Sequence, residues 1–196
     1  MNLNKMQVRG EKHGTAVVGE KSLILTANAN TDWFHHPADS FRRNDVLSLV
    51  TEVAEETFSI TARVSVEFSS AYDAGAIFLQ VDEDNWAKLA FEYSAAKKPT
   101  IVSVVTRTTS DDCDGPNYHG EDVWLRVYCD GDTIAFHFSE DGKFWQFLRW
   151  FAIPGISNRP TKVGFGVQSP TGEGSTARFD QIDIRYEKIV DLRNGT

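Results

Sequence analysis

The feature that most constrains the fold is a strict alternation of apolar and polar residues in short runs. From Phe58 to Phe68 the sequence reads FSITARVSVEF, so that every second residue is apolar. A period of two places the apolar side chains on one face of a β-strand and the polar side chains on the other. This segment is therefore predicted to be a strand with one buried face.

Similar runs recur along most of the chain and are separated by turn sequences. Asp130-Gly131-Asp132 is typical of a hairpin loop, because glycine accepts a positive φ and aspartate caps its own backbone. The spacing in Val46–Val53 also fits a short helix, but its valine content and the flanking strands favour a strand. The other predicted strands are residues 75–81, 86–93, 100–108, 123–130, 133–139, 144–151, 162–168 and 177–186.

This pattern of many short strands with little helix predicts an all-β fold. The expected architecture is a jelly-roll sandwich of two antiparallel sheets, one of them concave. No internal repeat or change of composition marks a second domain, so residues 1–196 are predicted to form a single sandwich domain with its core at about 22–187.

Composition and charge argue against several classes of protein. The 28 acidic and 20 Lys+Arg residues give a net charge of −8, which disfavours nucleic acid as a partner. No apolar run is long enough to cross a membrane, and the first residues lack the apolar core of a secretory signal, so a cytoplasmic location is expected. Cys113 and Cys129 form no Cys-x-x-Cys pair, and neither a disulfide nor a cofactor is expected.

Aromatic residues make up 12% of the chain, and several share a strand face with charged residues. In the strand at 86–93, Trp86 alternates onto the same face as Lys88 and Glu92. Such a face suits a concave sheet that binds a sugar, because the C–H face of the sugar stacks on rings and its hydroxyls bond to charged groups. Alternatively, these aromatics lie beneath loops or a second layer, with the charged tips in water.

Nine side chains are the candidates for contact with such a ligand. Aromatic rings would stack, carboxylates would accept hydrogen bonds from hydroxyls, and cations would donate them; Lys88 is also expected to neutralise Glu92. Two of the candidates, Arg107 and Asp111, come from the end of a strand and from the Asp-rich stretch after it, which is interpreted as a rim loop. A surface turn whose aspartates bond to their own backbone is an equal alternative. The candidates are Trp86, Lys88, Glu92, Arg107, Asp111, Arg126 and Trp150, with Trp33 and His35 at the rim.

Catalytic and metal-binding patterns are weak. Asp180 and Asp183 are three residues apart and would point to opposite faces of a strand, so they cannot act as a glycosidase pair. Glu92 and Asp111 remain as a possible pair of catalytic carboxylates. Hydrolysis of a glycoside is nevertheless disfavoured. His35 and His36 are adjacent and would also point to opposite faces, so no metal site is predicted.

Several sequence blocks occur in an order that resembles a known family. Residues 71–92 match a core of Tyr-Asp, Gly, an acidic turn and Trp-x-Lys-x-x-x-Glu, and residues 104–111 match a Val-Val-Thr…Ser-Asp motif. Residues 124–127, 139–145 and 163–170 match the remaining blocks. In these residues the chain resembles the regulation-of-enolase-like family of unknown function, in the concanavalin A-like lectin/glucanase superfamily. The family commonly has Trp after Ser-Asp, where this chain has Asp112 and Cys113.

The resemblance implies a jelly-roll sandwich with one concave sheet, and it implies no activity. The first functional hypothesis is a module that binds a carbohydrate or another small polar ligand on the concave face. The alternatives are an enzyme of the glycoside hydrolase, lyase or isomerase type on the same face, and a protein-interaction or regulatory role in carbon metabolism. A groove filled by residues 1–31 would argue against both ligand hypotheses.

Overall fold

The computed structural model describes residues 2–38, 40–158 and 160–196, which form a β-sandwich. Short 3₁₀ turns at Leu3–Lys5, Glu11–His13 and Ile156–Asn158 are the helical elements of these residues. The strands are β1 Gln7–Arg9, β2 Gly14–Val18, β3 Ser22–Asn28, β4 Trp33–His35, β5 Arg42–Asn44, β6 Leu47–Val53, β7 Thr57–Val66, β8 Ala74–Gln80, β9 Asn85–Tyr93, β10 Pro99–Arg107, β11 Thr109–Asn117, β12 Asp122–Asp130, β13 Thr133–Ser139, β14 Gln146–Ala152, β15 Thr161–Gln168 and β16 Gly174–Arg185.

The strands form two seven-stranded antiparallel sheets and one two-stranded ribbon. Sheet A has the order β1-β6-β15-β8-β9-β10-β11, and sheet B has the order β14-β13-β12-β7-β16-β3-β2. Strands β4 and β5 pair only with each other and are called the ribbon below. The predicted all-β sandwich is therefore confirmed, as is the prediction that residues 46–53 are extended. None of the helices in the described parts of the chain has the length and apolar character of a membrane span.

The core lies between the two sheets and follows the alternation read from the sequence. Phe58, Ile60 and Val64 of β7 are buried, while Thr61 and Arg63 between them are partly exposed. Side chains of the same kind from the inner face of sheet A, such as those of Leu89 and Phe91, are part of the same buried cluster. Burying a large apolar side chain contributes roughly 1.5–3 kcal/mol, so these layers hold the sandwich together.

The stretch at residues 109–117 was predicted to be a rim loop, and this prediction is wrong. It forms β11, an edge strand that pairs only with β10. Its sequence, TSDDCDGPN, is poor in β-branched and aromatic residues, so local preference gives no sign of a strand. An edge strand rich in aspartate is stable here because one neighbour supplies its backbone hydrogen bonds, and its charges discourage pairing with other chains.

The ribbon covers part of the outer face of sheet A, which is the face turned away from the core. The Trp33 ring stacks on Trp86 with 4.5 Å between ring centroids and meets the edge of Phe78 at 4.9 Å. Residues 7–9 and 14–28, in contrast, form strands of the two sheets and do not fill a groove. The segment that occupies this face is therefore the ribbon, which follows residues 1–31.

Replacing Trp33 with alanine tests whether this stacking holds the ribbon in place. Trp33 is 5% exposed, and we expect Trp33→Ala to lower the free energy of unfolding by about 3–5 kcal/mol, because a large buried ring is lost. Trp150, which is 52% exposed, is the matched control, and Trp150→Ala should cost less than about 1 kcal/mol. Urea unfolding measures both values. Equal losses in the two variants would show that the ribbon does not depend on Trp33.

Candidate functional site

Beside the ribbon, the outer face of sheet A contains a cavity of about 230 Å³, called the Glu92 cavity below. Its floor is built by the strands of sheet A, and its walls come from the ribbon and from the loops before β8 and after β15. It is lined by Asp32, Phe34, Tyr72, Lys88, Glu92, Val104, Asp112, Gln168 and Pro170.

Strand alternation and register bring the floor residues together. Lys88 and Glu92 are four residues apart in β9 and lie on the same face. Lys88 is directly opposite Val104 of β10, and Val104 is directly opposite Asp112 of β11. These three side chains therefore form a row across neighbouring strands, with Glu92 further along the same face.

Lys88 is buried and is held by two hydrogen bonds. Its Nζ donates to the carbonyl of Trp33 at 2.9 Å and to Oε1 of Gln168 at 2.8 Å. The Nε2 of Gln168 in turn donates to the carbonyl of Tyr72 at 3.1 Å. Lys88 thus ties the ribbon to β15 and to the loop that carries Tyr72. Among the described residues it forms no ion pair with Glu92, so the predicted neutralisation does not occur by direct contact.

Glu92 is a buried carboxyl group without a hydrogen-bond partner among the residues that the structure describes. Glu92 is 7% exposed, and burial raises the pKa of its carboxyl group to about 8. The charge of Lys88 opposes this rise, and the carboxylates of Asp112, Asp114 and Asp32 add to it. Burial likewise raises the pKa of Asp112. The cavity therefore holds a carboxyl group that keeps its proton near neutral pH.

Tyr72 stands at the rim of the cavity with a strained backbone. Its φ of 71° lies in the left-handed region, which non-glycine residues rarely adopt. The buried carboxylate of Asp73 fixes this loop, because it accepts hydrogen bonds from the backbone N–H of Ser69 and Ser70 and from Oγ of Ser169 at 2.7–2.9 Å. Backbone strain of this kind is concentrated at functional sites, because the surrounding structure must offset its cost.

Three of the sequence candidates lie on the predicted face, but only two of them line the cavity. Lys88 and Glu92 do so, whereas Trp86 is fully buried beneath the ribbon. Trp33 covers Trp86, and His35 packs edge-on against Trp86 while its Nδ1 donates to the carbonyl of Thr108 at 3.0 Å. These aromatic rings pack the ribbon onto the sheet, as the alternative interpretation of buried aromatics expected.

Of two acidic neighbours on β11, the one that the sequence analysis did not select lines the Glu92 cavity. Asp111 is opposite the core residue Val105, so it points away from the Glu92 cavity, and its carboxylate pairs with Arg149 at 2.9 Å. Asp112 points into the cavity instead. Arg107 is exposed at the end of β10. The residue before it is the last of β10 whose side chain lies on the face of sheet A that carries the cavity. Asp111 therefore does not form a dyad with Glu92, the pair that the sequence had left as a possibility.

Arg126 and Trp150 lie on a different sheet. The prediction that Arg126 shares a face with Lys88 and Glu92 is wrong, because β12 belongs to sheet B and its outer face is on the opposite side of the sandwich. Trp150 is on β14, at the edge of sheet B, and is largely exposed. Sequence alternation identifies which residues share a strand face, but it does not assign a strand to a sheet.

The cavity residues that the sequence reading missed come mainly from loops and from the ribbon. Asp32, Phe34 and Pro170 carry no periodic signal, and Tyr72 was visible only as part of the Tyr-Asp block. Although three carboxyl groups line the cavity, no group of three or more His, Cys, Asp or Glu residues in the described parts of the chain has the arrangement of a metal site.

The proton on Glu92 makes the stability of the fold depend on pH. Its pKa is about 8 in the folded chain and 4.5 when unperturbed, so the stability it contributes is complete below pH 4.5 and is lost as the pH rises through 8. Glu92→Gln keeps the shape and cannot ionise. We expect its Tm relative to wild type to rise between pH 5 and pH 9 by at least about 5 °C in differential scanning calorimetry.

The exposed Glu173 provides the control for this experiment. Glu173→Gln removes an exposed carboxylate, and its Tm relative to wild type should change less across this pH range than that of Glu92→Gln. A constant difference between Glu92→Gln and wild type across the range would mean that Glu92 ionises in the folded protein as it does in water.

Comparison with known proteins agrees with the fold and with the predicted family. A model of the family described as protein of unknown function (DUF1349) matches residues 12–187. The yeast (Saccharomyces cerevisiae) protein named regulation of enolase protein 1 is 26% identical over 134 residues, which is 67% of this chain and 66% of the yeast protein. The alignment thus spans just under two thirds of that relative.

Solved structures share the sandwich at low sequence identity. A crystal structure of a functionally unknown protein from Saccharomyces cerevisiae has a TM-score of 0.87 at 23% identity, covering 96% of this chain and all of the other. A GH43 protein from Bacillus licheniformis has a TM-score of 0.67 at 15% identity, covering 90% of this chain but 40% of its own. The carbohydrate-binding module CBM66 from Bacillus subtilis has a TM-score of 0.57 at 11% identity, and the match covers 88% of this chain and 91% of the module.

At such identities these structural neighbours establish the sandwich fold alone. The family match extends over nearly the whole chain and agrees with the order of sequence blocks from Tyr72 to Pro170. The chain therefore belongs to the DUF1349 family of proteins of unknown function.

Proposed function

We propose that this protein binds a small polyhydroxylated ligand, a carbohydrate, in the Glu92 cavity. The observation that carries this proposal is the combination of a protonated buried carboxyl group and an acidic neighbour in one small cavity with aromatic walls. Glu92 and Asp112 provide the carboxyl groups, and Tyr72 and Phe34 provide the rings. Sites for small polar ligands commonly combine apolar walls with a few convergent polar groups.

Each group has a distinct part in such a complex. A protonated Glu92 donates a hydrogen bond to a ligand oxygen, whereas a carboxylate at Asp112 or Asp32 accepts hydrogen bonds from hydroxyl groups. The rings of Tyr72 and Phe34 offer faces to the C–H side of a sugar. A volume of about 230 Å³ is below the roughly 300–1,000 Å³ of sites for drug-sized ligands, which favours a single sugar residue.

The architecture supports this proposal at the level of fold. One of the similar structures is described as a carbohydrate-binding module, and it shares the sandwich over most of both chains. We place the ligand encounter in the cytoplasm, as the sequence predicts, and the net charge of −8 keeps nucleic acid outside the proposal. The name of the yeast relative refers to regulation, which is compatible with a role in which binding of the ligand acts as a regulatory signal.

A second candidate function is acid–base catalysis on a sugar in the same cavity. The observation that favours it is the pKa of Glu92, about 8, next to a second carboxyl group at Asp112. Perturbed carboxyl groups in one cavity are what a glycosidase uses as its acid and its base. Turnover of a chromogenic glycoside that disappears in Glu92→Gln would favour catalysis, and binding without turnover would favour the module.

The neighbouring aspartates of β11 provide a matched pair of variants for testing the binding site. Asp112→Ala removes a carboxyl group from the cavity, and we expect it to weaken sugar binding about 10- to 100-fold, as loss of a charged hydrogen bond does. Asp111→Ala removes an exposed carboxylate that faces away, and we expect it to change the Kd less than about twofold.

The measurement is an NMR titration of the full chain with neutral monosaccharides and disaccharides, including glucose, galactose, xylose and fructose. Thermal unfolding of each variant establishes that it remains folded. Absence of saturable binding by wild type, or equal weakening by Asp112→Ala and Asp111→Ala, would overturn the proposed site.

A further inference from the structure

A second cavity lies on the outer face of sheet B, on the opposite side of the sandwich from the Glu92 cavity. It has a volume of about 610 Å³ and is called the Arg126 cavity below. Trp124 and Trp145 are aromatic residues of its lining, and Ser59 and Thr61 of β7 contribute hydroxyl groups. Register places Thr61 directly opposite Arg126, so these polar groups lie on the same outer face.

Arg126 is a buried cation without a carboxylate partner among the described residues. It is 8% exposed, and no carboxylate oxygen of these residues lies within 4 Å of its guanidinium nitrogens. Nη2 donates to the carbonyl of Gly195 at 3.0 Å, and the guanidinium lies 4.2 Å from the ring of Trp145. The buried Nε has no hydrogen-bond partner in the described parts of the chain. Burial lowers the pKa of Arg126 to about 10, so the group remains charged at neutral pH.

Of the three acidic residues that line this cavity, Glu20 is exposed, and the two on β16 are paired with other cations. Asp180 accepts two hydrogen bonds from Arg63 at 2.8 and 2.9 Å, and Asp183 accepts one from Arg185 at 2.8 Å. Arg126 therefore has no share in these ion pairs. A buried charge of this kind is costly unless an anion compensates it, and the residues that the structure describes supply none within contact distance.

Strand β16 is irregular where it borders the Arg126 cavity. Between Asp180 and Asp183 the pairing of β16 with β7 is interrupted by a bulge, and Gln181 in the bulge has a φ of 51°. Both Gln181 and Ile182 of the bulge line the cavity. Bulges and strained residues in strands are frequent next to binding and active sites, where they redirect side chains.

We propose that the Arg126 cavity is a second ligand site, which takes a small molecule carrying a carboxylate beside a ring face. The carboxylate meets the guanidinium of Arg126, whose planar array of N–H donors matches two carboxylate oxygens. The ring face packs on Trp124 or Trp145, and the hydroxyls of Ser59 and Thr61 bond to the polar edge. This site is independent of the Glu92 cavity and differs from it in preferring an anion.

The test titrates the full chain with glucuronate, with benzoate and with neutral glucose, and follows the tryptophan indole N–H signals by NMR. We expect saturable shifts of Trp124 and Trp145 with the two carboxylates and none with glucose. Arg126→Gln should weaken carboxylate binding about 10- to 100-fold, because a charged hydrogen-bonding partner is removed. Arg185→Gln, which removes a cation already paired in the same cavity, should change it less than about threefold.

Two further variants keep the test decisive if Arg126→Gln is poorly folded. Thr61→Val removes one hydroxyl with little change of shape, and it should weaken glucuronate binding measurably while the Tm stays close to that of wild type. Glu92→Gln should leave carboxylate binding unchanged, because it alters the other cavity. No saturable carboxylate binding by wild type, equal binding of glucose at these tryptophans, or loss of carboxylate binding in Glu92→Gln would overturn the proposal.

Discussion

The stacking of Trp33 on Trp86 is the contact on which the candidate site depends. It holds the β4–β5 ribbon against the outer face of sheet A, and Lys88 reinforces it by donating to the carbonyl of Trp33. With the ribbon in place, Asp32 and Phe34 become walls of a cavity above Glu92. Loss of the ribbon would remove these walls and open that side of the cavity to water. Packing of apolar rings thus sets the electrostatics of the polar group beside them.

The two cavities show two responses to the burial of charge. In the Glu92 cavity the carboxyl group is neutralised by retaining its proton, because desolvation outweighs the attraction of Lys88. In the Arg126 cavity the guanidinium cannot lose its proton at neutral pH and is shielded by a carbonyl and by the ring of Trp145. This difference is the reason that we propose a neutral polyhydroxylated ligand for the first cavity and an anion for the second.

The sequence predicted the fold class and the content of each strand face better than it predicted the site. Alternation in β9 correctly placed Trp86, Lys88 and Glu92 on one face, because a strand fixes that geometry locally. It did not show that Arg126 belongs to the other sheet, because strand order arises from long-range pairing. The polar sequence of β11 gave no indication of an edge strand. Without the register of that strand, the sequence could not show that Asp112, and not Asp111, faces the cavity.

The ribbon, the adjoining loops and the neighbouring strands bury Glu92 so that its carboxyl group holds a proton near neutral pH. A ¹³C NMR titration of the Glu92 side-chain carboxyl in the wild-type chain tests this claim directly. The structure predicts a pKa of about 8. A pKa close to the unperturbed value of 4.5 would show that water reaches Glu92 freely, and it would contradict the enclosed cavity on which the proposed function depends.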